Sequence, residues 1–157
     1  MKSFLQNNYN YILYSAIISW FFAQVIKALL NFFITKKFSA ERLIGAGGMP
    51  SSHSAFVCSA AVATFRICGL SSPEFAIILI VALIVLYDAM GVRHAAGLHA
   101  KEINRINKAF NEHVNSDDNI IIKNKSKELK EFLGHTPYEV LGGALLGIII
   151  ALMVPMK

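Results

Sequence analysis

Charge is scarce in this sequence. Only 16% of its 157 residues are charged and 55% are hydrophobic, with a mean hydropathy of +0.50. Soluble domains carry about 25% charged residues. The shortfall excludes a disordered chain, a coiled coil and a typical nucleic-acid-binding domain, and it points to the membrane. Cysteine is scarce too, with Cys58 and Cys68 as the whole complement. Both lie in one apolar run, where a helix would separate them by roughly 15 Å of rise, too far for a disulfide. Internal repeats and low-complexity tracts are lacking. So is a small-residue cleavage site after the first apolar run, Tyr9–Ile34, which Lys36 and Lys37 follow. That run reads as a retained transmembrane helix and not as a signal peptide.

What the chain does have is four apolar stretches, Tyr9–Ile34, Ala55–Leu70, Phe75–Met90 and Val140–Met156. The last three reach bilayer length only if they extend into their flanks, as Ser51–Leu70, Pro73–Arg93 and Thr136–Met156. The extension draws His53, Asp88, Arg93 and Glu139 to interfacial depth. Pro73 after two serines and Pro137 after Thr136 are helix starts, and Thr136 with Glu139 fits a capping box. Gly143 and Gly147, like Ala55 and Ser59, have the four-residue spacing of small residues that lets helices approach closely in lipid. Leu98, Ile103, Ile106, Phe110 and Val114 recur at near-helical spacing, which predicts an amphipathic helix on the membrane surface. Asn115–Asn119 reads as a turn, and Ser126–Leu133 as a short helix stopped by Gly134.

The fold class expected is therefore all-α, an integral membrane helical bundle of about four spans plus a cytoplasmic amphipathic helical segment. It is expected to form one domain over residues 1–157, with 91–135 as a polar segment within it. With four spans, the loops 35–50 and 91–135 share one side and carry eleven Lys and Arg, against three at Lys2, Arg66 and Lys157. The bias places those loops in the cytoplasm and the protein in the cell membrane. Lys27 falls inside the first span, roughly 10 Å from its end. There it either snorkels or points into a pocket.

Two runs can do chemistry. In Gly45-Ala-Gly-Gly-Met-Pro-Ser-Ser-His-Ser-Ala55, glycines let a backbone approach a ligand. The N–H groups of Ser51, Ser52 and His53 at a helix start favour an anion. The same run also reads as a capped helix with an interfacial histidine. In Gly134-His-Thr-Pro-Tyr-Glu-Val-Leu-Gly-Gly143, His135 and Glu139 are four apart, so a carboxylate can hold one imidazole nitrogen while the other faces outward. Glu139 is equally explained by the capping box. Two imidazoles among paired donors and basic residues are the parts of phosphoryl transfer through histidine. Asp88 near a helix end reads either as a site acid or as the partner of Arg93. His94, His99 and His113 read as solvated or interfacial.

Pro50-Ser51-Ser52-His53 resembles the P-S-G-H motif of the type-2 phosphatidic acid phosphatase superfamily, and His135-x-x-x-Glu139 resembles its H-x-x-x-D motif. Gly47–Ala55, Asp88-Ala-Met-Gly-Val-Arg93 and Gly134–Val140 are closer still to the divergent, haloperoxidase-related branch of that superfamily. The resemblance implies His135 as nucleophile, Glu139 as its orienting carboxylate and His53 as general acid. It implies phosphate binding by Ser51 and Ser52, and no metal or other cofactor. The superfamily's K-x6-R-P motif is not kept: Leu43 follows Arg42, and Thr35 stands at the lysine position. Leu129 replaces the arginine expected before the nucleophile. Ser52 replaces a glycine, and Glu139 an aspartate. Lys27, Lys36, Lys37, Arg42, Arg93 and Lys130 are the candidate replacements for the lost cations.

The function expected is hydrolysis of a lipid or isoprenoid phosphate or diphosphate at the cytoplasmic interface. The expected partners are that substrate and the bilayer, with no nucleic acid and with a homo-oligomer left open. The alternative is a non-catalytic lipid or anion binder, or a transporter, on the same scaffold.

Overall fold

The computed structural model describes residues 2–36, 48–114, 129 and 134–156, and in these residues the chain is helical with no strand. Five helices follow in order: α1 Lys2–Thr35, α2 Ser52–Cys68, α3 Pro73–Met90, α4 Val92–Val114 and α5 Pro137–Met153. Each apolar stretch read from the sequence forms a helix, and α1 begins ahead of its apolar run.

Local chemistry sets most of the ends. Ser51 caps α2, with its hydroxyl accepting from the Ser54 N–H, and Gly69 closes it at a φ of 81°. Ser72 caps α3 in the same way, with Pro73 in the first turn. The predicted capping box at Thr136 is formed on both sides. One boundary differs from expectation. The third span was extended to Arg93, but Gly91 ends α3 at Met90 by donating its N–H to Tyr87. Arg93 therefore sits in the first turn of α4. The predicted turn at 115–119 lies outside the described residues. So does the predicted helix 126–133, apart from Leu129, which is irregular.

The helix α2 is the centre of the bundle and packs on α1, α3 and α5. Its contact with α5 explains the spaced small residues. A Cβ on Gly143 would overlap the Ser51 carbonyl, and one on Gly147 would overlap the Ala55 carbonyl. With lipid outside, no hydrophobic force drives such helices together, and close packing of backbones does the work instead. These contacts run in register, and Arg66 near the end of α2 meets Ala151 and Val154 at the end of α5. The two helices are therefore parallel. On α1, the buried residues Tyr11, Ser15, Ser19, Ala23 and Lys27 fall every fourth position along one stripe. Tyr11 bonds Ala151 and Ser19 bonds the Ala55 carbonyl, so α1 runs antiparallel to α2 and α5. On the outside, Phe21, Phe33, Ile80, Leu83 and Tyr87 are exposed, as lipid-facing side chains should be.

Tyr11–Ile34 and the run Pro73–Glu112 are long and apolar enough to cross a membrane by length and composition. At 17 residues each, α2 and α5 stand at the short end of the spanning range.

Candidate active site

The parallel pairing of α2 and α5 brings their two N-termini together. The Ser51 N–H donates to the Glu139 carbonyl at 2.9 Å, tying the cap of one helix to the first turn of the other. Two positive helix ends thus converge on one patch, a setting that favours an anion.

His135 precedes α5 and is only 3% exposed. Its backbone N–H donates to the Ala89 carbonyl at 3.2 Å, at the end of α3. Gly134 lies against the backbone of Arg93 and His94 with a φ of 90°, and any Cβ there would overlap both residues. The α3–α4 corner is therefore the shelf on which His135 rests. Sequence reasoning gave Gly134 only as a helix stop. Its approach to a segment forty residues upstream leaves no local signal.

Glu139 performs both roles that the sequence left open. Its Oε2 accepts from the Thr136 N–H at 3.0 Å, completing the capping box, and lies 3.2 Å from His135 Nδ1. A carboxylate can only accept when ionised, so the proton belongs on Nδ1 and Nε2 keeps its lone pair. Burial holds the imidazole below its ordinary pKa, although the hydrogen bond and charge of Glu139 act in the opposite direction. Burial therefore favours the neutral imidazole, whose Nε2 lone pair is not taken by Glu139.

His53, in the first turn of α2, is exposed. Its ring centroid is 6.4 Å from that of His135, with the planes tilted by 51°. One tetrahedral group can touch both rings across such a gap. Ser51 and Ser52 are buried, and the Ser51 hydroxyl accepts from both the N–H and the hydroxyl of Ser54. That hydroxyl caps α2, and the backbone N–H groups of the α2 start are donors this run can offer a ligand.

Among the described candidate cations, Lys27 is the one the fold buries, at 5% exposure, so it does not snorkel. Its stem passes Gly48, where a Cβ would come within 3.4 Å of Lys27 Cγ. Lys27 interacts electrostatically with His53, His135 and Glu139. Arg93 is engaged by Asp88, with Nε 2.5 Å from Oδ2 across the α3–α4 corner, while its charge also reaches His53. Lys36 is exposed at the end of α1. Lys37, Arg42 and Lys130 lie outside the described residues. At the other end of the bundle, Arg66 donates to the Tyr11 hydroxyl and to the carbonyls of Ala151 and Val154, neutralising the end of α5. Sequence reasoning missed that cluster, for which an arginine inside an apolar run was the available sign.

The family model described as the divergent PAP2 family matches residues 8–150. The chain belongs to the divergent PAP2 family. It is also 41% identical over 147 residues to the uncharacterized membrane protein YuiD of Bacillus subtilis strain 168, covering 92% of this chain and 93% of that protein. No solved structure matches it. Membership of the divergent PAP2 family makes the chain a phosphatase-related helical membrane protein. The matched span takes in both helix starts and the corner that carries His135.

Proposed function

We propose that the protein is a membrane phosphatase that hydrolyses a phosphomonoester or diphosphate on a lipid or isoprenoid carrier. The observation that carries this reading is the buried His135, held by Glu139 at 3.2 Å and faced by His53 across 6.4 Å. In the first step His135 Nε2 attacks phosphorus, the P–O bond to the carrier breaks, and His53 delivers a proton to the leaving oxygen. Glu139 balances the positive charge that develops on the imidazole. In the second step His53 takes a proton from water, the water oxygen attacks phosphorus, and the P–N bond breaks to release phosphate. Lys27, the Ser52 and His53 N–H groups and, when it leaves Asp88, Arg93 hold the non-bridging oxygens. A lipid substrate follows from the site's place at the helix ends, where a headgroup can enter while its chain stays in the bilayer. No metal takes part in this scheme.

The test is phosphate release from lipid and isoprenoid phosphates by the purified protein beside His135→Ala. Turnover should fall to background in the variant while its elution and melting stay near wild type, since Glu139 still caps α5 through Thr136. Near-normal activity in folded His135→Ala protein would remove the residue from the mechanism.

A second reading, a non-catalytic binder of phosphorylated lipids, is favoured by the Arg93–Asp88 pair, which leaves Lys27 as the buried cation beside the histidines. A binder would hold phosphate or vanadate without turning any substrate over.

A further inference from the structure

The helix α4 leaves the bundle. Among the described residues it packs on α3 alone of the other helices. It is nevertheless amphipathic. Ile103, Ile106 and Phe110 fall within about 60° of one another on one face and are 45%, 64% and 60% exposed. At about 100° per residue, Asn104 and Lys108 project from other sides of the helix than Ile106 and Phe110. The polar side has a partner within the chain: Asn104 exchanges two hydrogen bonds of 2.9 Å with the backbone of Leu129. The apolar face has none among the described residues.

We propose that this face lies in the headgroup and acyl boundary of the bilayer that the protein itself spans. Continuity with the membrane helix carries the inference. Only Gly91 separates Val92 from the end of α3, so the first turn of α4 is fixed where a membrane helix emerges. The start of α5 docks on the same corner through Gly134 and His135. A bilayer surface is therefore within reach of the first turn of α4, and Leu129 is held on the polar side, away from Ile106 and Phe110. The cations Lys101, Arg105 and Lys108 lie on the polar part of the helix, as in helices that rest on lipid surfaces. The seat does not depend on catalysis, but it would steady the corner that supports His135.

The experiment uses full-length protein in proteoliposomes of equal parts phosphatidylethanolamine and phosphatidylglycerol, with single cysteines at Ile106, Phe110 or Lys108 in a Cys58→Ala/Cys68→Ala background. Each cysteine carries an environment-sensitive fluorophore. All three positions are exposed, so labelling does not threaten the fold. Labels at 106 and 110 should emit to the blue, resist iodide and be quenched severalfold more strongly by lipid-borne spin labels than a label at 108. Equal quenching at all three positions would overturn the proposal. So would blue emission at 106 and 110 without quenching from lipid, which is the signature of a second copy covering the face.

Discussion

Glu139 is asked to serve two partners with one oxygen, and the two services can be separated by removing only its charge. Glutamine is accepted in a capping box, so Glu139→Gln keeps an acceptor for Thr136 and for His135 Nδ1. What it loses is the influence that raises the His135 pKa, leaving burial unopposed. The sign is therefore fixed. The acid limb of kcat/KM, which already lies below the ordinary imidazole value if it reports His135, should move to still lower pH in the variant. The plateau should fall by about 100-fold, because the charge developing on the imidazole is no longer balanced. A pH–rate profile of both proteins decides it, and an unmoved or raised limb would show that Glu139 does no more than cap α5. The depressed pKa also bears on stability. As pH falls below the ordinary imidazole value, the unfolded chain binds the proton first, so the fold loses stability toward the folded-state pKa.

At the scale of elements, the α2–α5 contact decides whether the two helix starts meet at all. Neighbouring glycines make a controlled test. A methyl on Gly143 would overlap the Ser51 carbonyl, and neither backbone can yield without opening the site. A methyl on Gly142 would meet the end of the Met49 side chain at 3.2 Å, and that flexible chain can move aside. Gly143→Ala should cost more than the ~1–3 kcal/mol typical of overpacking, and Gly142→Ala should stay within about 1 kcal/mol of wild type. Thermal unfolding in detergent, followed by size-exclusion chromatography, checks both, and equal melting of the two variants would refute the register. The spacing of Gly143 and Gly147 made this contact legible in the sequence, as the Thr136–Glu139 spacing made the capping box legible, because both are patterns within a few residues. Lys27 was legible only as a choice between snorkelling and burial. Gly48 and the crossing of α1 settle it, and these are contacts between distant parts of the chain. The docking of Gly134 on Arg93 and His94 was invisible for the same reason. The end of α3 at Gly91 was missed because Val92 and its neighbours continue the helical pattern past the break.

At the scale of the whole molecule, the directions of the helices make a topological prediction stronger than charge counting alone. With α2 and α5 parallel and α1 antiparallel to both, the starts of α2 and α5 and Lys27 in the later half of α1 share one end of the bundle. The end of α3 joins them through Ala89 and His135, while its start lies beside the end of α2, where Phe75 meets Phe65. Whichever way the bundle sits, the candidate site is therefore wholly on one side. Lys36, Arg93, Lys101, Arg105 and Lys108, five of the eleven cations counted on the loop side, lie in described residues that leave that same end. Of the three at the opposite side, Arg66 is already engaged by the carbonyls at the end of α5. The bias then predicts that the site faces the cytoplasm. Single cysteines at Lys101 and Glu74, both exposed and on α4 and the start of α3, sample the two sides in a Cys58→Ala/Cys68→Ala background. A membrane-impermeant maleimide should label the Glu74 position in intact cells and the Lys101 position only after permeabilisation. The reverse pattern would turn the site outward and move its substrate to the outer leaflet. Labelling of both from outside would break the bundle's one-sidedness, and with it the argument that the two histidines serve a single face of the membrane.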